Sequence, residues 1–145
     1  MGLTLPNSSL VYLDTSIVIY SVEQVPNYYQ ILEPLWEKVQ SEEIRVFSSE
    51  LILLETLVLP LRTGNQDLLQ AYEHLLLSSL QLISISQEIL RNAAQLRADY
   101  NLKTPDAIHV ATALKENCTL LLTNDVQFRR VTGLSVTILQ DVLFD

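Results

Sequence analysis

The chain has 145 residues, 48% of them hydrophobic, and seventeen Asp and Glu against nine Lys and Arg give a formal charge of −8. That length suits one domain spanning 1–145, the apolar content excludes disorder, and the charge excludes a surface that is basic throughout. One cysteine, two histidines and three scattered glycines exclude a disulfide framework, a Cys-rich zinc site, a three-His metal site and a glycine-loop nucleotide site.

In chain order, the apolar run Leu10–Leu13 reads as a buried strand, and Thr15 or Ser16 can cap a helix behind it. Tyr28, Ile31, Leu32, Leu35, Trp36 and Val39 have helical spacing and predict a helix over Tyr28–Gln40. Within it, Tyr28, Leu32 and Trp36 read as core or subunit surface rather than as a platform for stacking bases. A strand follows at 45–48, then a helix over 50–62 stopped by Gly64, and another over Gln66–Ser78. Residues 80–85 read as a strand, and Ser86 caps a helix that runs to about Tyr100. Thr104-Pro105-Asp106 opens a helix with proline at its first position. Residues 119–123 read as a buried strand, Asn124-Asp125 begins a short helix, and the last strand covers 135–139.

Continuous apolar strands separated by helices predict βαβ units, hence an α/β fold: a three-layer α/β/α sandwich on a mostly parallel sheet of about five strands. The N-terminus has no cationic leader, and the most apolar stretch, 51–61, holds Glu55 and Pro60 and is too short to cross a bilayer. A soluble cytoplasmic protein without membrane attachment is expected.

Open α/β sheets bind ligands beyond the carboxyl ends of their strands, so residues just after strands carry the functional signal. Most acids sit in polar surroundings, as Glu42-Glu43 do beside Ser41. Four are placed differently. Asp14 ends Leu10–Leu13, Glu55 interrupts a leucine-rich helix, Asp106 opens an apolar helix and Asp125 follows Leu120-Leu121-Leu122. Each has a structural reading: Asp14 and Asp125 as helix caps, and Asp106 as a first-turn acid favoured by the helix dipole. Glu55 resists one, because the residues three and four away are Leu51, Ile52, Val58 and Leu59, none a countercharge.

If the four converge, each like-charge pair at about 4 Å costs on the order of 4 kcal/mol at an effective dielectric near 20. Either protons or divalent cations must relieve that repulsion, and oxygen ligands without a His or Cys cluster favour Mg²⁺ or Mn²⁺, as one or two ions. Two such ions suit in-line displacement at a phosphodiester.

Tyr12-Leu-Asp14-Thr-Ser16, Ser49 with Glu55 in a leucine-rich helix, Thr104-Pro-Asp106-Ala-Ile-His-Val-Ala111 and Leu122-Thr-Asn-Asp125 resemble, in order and spacing, the PIN-domain nucleases, above all the VapC-type toxins of bacterial toxin–antitoxin pairs. The resemblance implies a metal-dependent endoribonuclease with Asp14, Glu55, Asp106 and Asp125 as catalytic, metal-holding acids. Thr123 and Asn124 match polar residues that position the last acid, and Thr15 or Ser16 would hold the first carboxylate or a substrate phosphate. It further implies a homodimer neutralised by a small VapB-like antitoxin.

RNA contact needs local positive charge, and Arg129-Arg130, just past Asp125, are the foremost candidates, ahead of Arg45 and Lys103. His109, a turn beyond Asp106, is either a contact to substrate or metal-bound water, or a packed or surface histidine without chemistry. Two alternatives stand beside the nuclease. A receiver-like phosphoacceptor domain would want an acidic pair after the first strand and a late lysine, whereas Thr15 follows Asp14 and no lysine follows Lys115. An inactive PIN module serving as an RNA-processing or interaction scaffold would tolerate loss of the acids, and all four are present.

Overall fold

In the computed structural model, which describes residues 2–143, five strands form the centre. They are β1 (Leu10–Leu13), β2 (Arg45–Ser49), β3 (Gln81–Ile83), β4 (Leu120–Thr123) and β5 (Val136–Ile138). The helices are α1 (Thr15–Val22), α2 (Tyr28–Gln40), α3 (Leu51–Thr63), α4 (Gln66–Ser78), α5 (Gln87–Tyr100), α6 (Thr104–Lys115) and α7 (Leu139–Leu143), with a 3-10 turn at Val126–Arg130. All pairings are parallel and the strand order is β3-β2-β1-β4-β5. This is the expected α/β/α sandwich.

The two-residue period of a strand divides its side chains between the faces of the sheet. Val11 and Leu13 of β1, Val46 of β2 and Leu122 of β4 join one buried cluster, with Ile17, Leu32, Leu35, Ile52, Tyr72 and Leu76 from α1 to α4. Tyr12, Phe47 and Leu121 face the other way, into a cluster with Ile89, Ala93 and Leu96 of α5 and the apolar side of α6. Both faces are therefore covered, which is why the strands read as unbroken apolar runs.

Two helix ends are made by the residues that predicted them, Ser86 and Gly64, and a third by Asn65, which sequence reading did not single out. Asn65 caps α4 by accepting from Leu68 N at 3.1 Å, Ser86 caps α5 by accepting from Ile89 N at 3.1 Å, and Gly64 ends α3 at φ +70. Trp36 packs against the core and its Nε1 donates to Ser21 Oγ at 2.8 Å, while Tyr28 stacks on Tyr20 with ring centroids 4.6 Å apart.

The differences from the expected elements lie at the sheet edges and around the acids. The strand expected at 80–85 keeps three residues, because β3 is an edge strand whose register with β2 pairs only Phe47–Ser49 with Gln81–Ile83. The last strand ends at Ile138, and Leu139 instead opens α7, where Gln140 N donates to Asn124 Oδ1 at 2.8 Å. Thr15 and Ser16 are the first residues of α1 rather than its cap, and their hydroxyls turn to acids.

Candidate active site

Strands β1 and β4 are neighbours with Leu13 opposite Leu122, so the next residues along, Asp14 and Thr123, meet at the carboxyl end of the sheet. Chain order reverses here: β1 is followed by β2 on one flank and has β4 on the other. That is the switch point at which such sheets open a ligand crevice.

Asp14 is 5% exposed. Its Oδ1 accepts from Ser16 Oγ at 2.6 Å and its Oδ2 from the Thr123 hydroxyl. Burial pushes its pKa above the ordinary carboxylate range, and those two hydrogen bonds act against the rise. Thr123 Oγ1 also accepts from Asp125 N at 3.0 Å, coupling the first acid to the last. Asn124 ties three elements together: its N–H donates to Ser16 Oγ at 3.2 Å, its Nδ2 to the Tyr20 hydroxyl at 3.0 Å, and its Oδ1 accepts from α7. Asp125 caps the 3-10 turn by accepting from Gln127 N at 2.9 Å, so its cap and its place at the sheet edge coexist.

Glu55 finds across the fold the partner that its own helix lacks. Its Oε1 accepts from Thr15 Oγ1 at 2.6 Å and from His109 Nε2 at 2.8 Å. His109 Nδ1 lies 2.6 Å from the hydroxyl of Tyr12, whose pKa burial drives far above its usual value. Partial burial of Glu55 works to raise its pKa, but the hydrogen bonds from His109 and Thr15 outweigh it and hold the carboxyl below the ordinary range. A Tyr12–His109–Glu55–Thr15 chain thus runs from the core to the site. Sequence reading missed it. Tyr12 looks like one more apolar strand residue, and only the alternation of β1, which aims Tyr12 at α6, hints at the pairing.

Asp106, in the first turn of α6, has its pKa raised first by burial and next by the charge of Asp125, with smaller contributions from Asp14 and Glu55 and an opposing one from His109. All four acids therefore share one electrostatic field. They are gathered at one edge without being closed into a cage: among the described residues no three His, Cys, Asp or Glu groups are arranged to hold one ion. By donor chemistry the set fits a hard divalent cation, since it offers carboxylate and hydroxyl oxygens while both His109 nitrogens are engaged within the protein.

The basic candidates separate. His109 is 2% exposed, so burial overturns its reading as an RNA contact. Arg129 pairs with Asp141. Arg130 donates to the Asn101 carbonyl at 3.3 Å and lines a cavity with Asp106 and Asp125. Arg45 lies over the Phe47 ring, 5.2 Å from its centroid, on the strand next to β3. Among the described residues no helix is long and apolar enough to cross a membrane.

The family model described as "PIN domain" matches residues 11–134. Among solved structures the chain is similar to VapBC2 from Rickettsia felis bound to a DNA fragment from its promoter, at 21% identity and a TM-score of 0.72, over 89% of this chain and 98% of that one. It is similar to a toxin–antitoxin complex from Klebsiella pneumoniae at 26% identity and a TM-score of 0.66, over 91% and 98% of the two chains. A third similar structure is VapC20 from Mycobacterium tuberculosis, described as a sarcin–ricin loop-cleaving toxin, at 17% identity and a TM-score of 0.63, over 77% and 86%. No curated protein matches the sequence.

Proposed function

The chain belongs to the PIN-domain family, and on that footing we propose that it is a divalent-metal-dependent endoribonuclease, the toxin of a VapBC-type toxin–antitoxin pair. The observation that carries the reading is the placement of Asp14, Asp106 and Asp125 with Glu55 around one switch point, in a shared field and bordered by hydroxyl donors. Strand order speaks against the receiver-like alternative, since receivers use 2-1-3-4-5 whereas this sheet runs 3-2-1-4-5. Similarity to toxin–antitoxin structures, and to a toxin described as sarcin–ricin loop-cleaving, supports the toxin assignment over a processing scaffold.

A bound Mg²⁺ or Mn²⁺, one ion or two, would polarise the scissile phosphate and make the attacking water easier to deprotonate. Asp14, Glu55, Asp106 and Asp125 would hold it. The chain's own residues set the geometry. Ser16 and Thr123 orient Asp14, while Thr15 and His109 keep Glu55 ionised and aimed. Asp125 is fixed from both sides, by its backbone bond to Thr123 and its cap on Gln127.

We further propose a VapB-like partner and a homodimer formed through α3, which leaves Leu54, Val58 and Leu61 exposed at positions i, i+4 and i+7. The test is RNA cleavage by purified protein with Mn²⁺. Wild type should cut, leaving 5′-phosphate and 3′-hydroxyl ends, EDTA should stop it, and Asp14→Asn should lose at least about a hundredfold in kcat. Expression without a partner should slow growth for wild type and not for Asp14→Asn. An Asp14→Asn protein as active as wild type refutes the assignment.

A further inference from the structure

Beside Asp106 and Asp125 the surface folds into a cavity of about 510 Å³ between the α5–α6 turn and the 3-10 turn. Ligand pockets commonly measure about 300–1,000 Å³. Three of the chain's nine cationic residues line this one: Arg97, Lys103 and Arg130. In a protein of net charge −8 such a concentration calls for a cause. Arg97 has a structural one. Its Nε donates to the Leu102 carbonyl and its guanidinium to Thr104 Oγ1, each at 2.9 Å, bracing the turn into α6.

Lys103 makes no such bond among the described residues, and Arg130 makes a longer one, to the Asn101 carbonyl at 3.3 Å. Both are exposed, and among the described residues neither has an acidic partner within salt-bridge distance. Like Arg97, they share a wall with two of the four acids, where an approaching polyanion meets repulsion that positive charge offsets. The amides of Asn101 and Gln127 complete the polar lining. Paired donor and acceptor atoms of this type read base edges, and contacts from Lys or Arg to phosphates are made irrespective of sequence.

We infer that this cavity is a nucleotide subsite: the nucleotide adjoining the scissile phosphate sits in it, with its own phosphate on Lys103 and Arg130 and its base edge against Asn101 and Gln127. The inference rests on the RNA-cleaving reading above and names where that RNA is gripped. It also divides the work between neighbours, Arg130 binding substrate and Arg129 held by Asp141.

The test has two arms. In the first, isotope-labelled wild-type protein is titrated with each of the four ribonucleoside 5′-monophosphates, and amide shifts should map to Asn101, Lys103, Gln127 and Arg130. The Lys103→Ala/Arg130→Ala protein should lose them. In the second, RNA cleavage by that double variant should show KM raised about tenfold or more with kcat nearly kept. Its salt dependence should flatten by about one to one and a half in slope, an effect that a merely structural role would not produce. Arg91→Ala, on the exposed side of α5, should match wild type. Mononucleotide shifts elsewhere or nowhere, or an unchanged KM and slope in a cleaving enzyme, overturn the subsite. Shifts in the cavity of a protein that cleaves no RNA overturn the nuclease reading and leave the nucleotide site standing.

Discussion

His109 sits between the Tyr12 hydroxyl at 2.6 Å and the Glu55 carboxylate at 2.8 Å, with almost no exposure to solvent. Partners of this kind that orient a metal-holding group typically cost about 10–100-fold in metal affinity or activity when removed. His109→Ala is therefore expected to weaken Mn²⁺ binding by about tenfold in calorimetric titration. His109→Gln, which restores a donor toward Glu55, should recover most of that affinity. A variant that melts earlier while binding Mn²⁺ like wild type would reduce His109 to a packing residue. At this scale the acids were legible in the sequence, because a carboxylate just after a buried strand or inside an apolar helix is out of place on hydropathy alone. Their partners were not. Glu55 and His109 are 54 residues apart, and no spacing rule connects a residue of α3 to one of α6.

Elements were legible where local chemistry makes them. Ser86 predicted the start of α5 and caps it, and Gly64 predicted the end of α3 and adopts the left-handed conformation there. Replacing Ser86 with Ala leaves the Ile89 N–H without that acceptor and should cost about 1 kcal/mol. In urea the unfolding midpoint should fall with an unchanged slope, and an unshifted midpoint would show that the cap contributes nothing to global stability. Legibility failed at the sheet edges. Residues 80–85 have strand composition throughout, but how many join the ladder depends on how far β2 extends beside them. At 135–139 the strand gives way at Leu139, where Asn124 supplies the acceptor for Gln140 N and α7 begins. Both outcomes depend on a neighbour distant in sequence.

At the scale of the whole molecule, four of the exposed large apolar side chains among the described residues lie on α3: Leu54 at 63%, Val58 at 38%, Leu59 at 54% and Leu61 at 61% exposure. With a second copy packed on α3, the wild-type chain should sediment at twice its 16.4 kDa. Leu54→Lys/Leu61→Lys should sediment as a monomer with its circular dichroism intact, since neither side chain belongs to the buried clusters. A wild-type monomer at tens of micromolar would remove α3 as the dimer surface. Glu55 lies on the same helix, so pairing through α3 would also stiffen the element that carries one of the four acids.

Local sequence determined the parallel α/β architecture, most helix boundaries and the four carboxylates, because apolar runs, caps and misplaced charges are properties of short windows. Tertiary structure decided what those carboxylates touch. The register of β1 against β4 sets Asp14 beside Thr123, and the packing of α3 and α6 on opposite sides of the sheet's carboxyl edge brings His109 to Glu55. It likewise separated Arg130 from Arg129 and assembled the cavity beside Asp106. Hydrogen bonds act over about 3 Å and connect whatever the fold brings that close, however far apart along the chain.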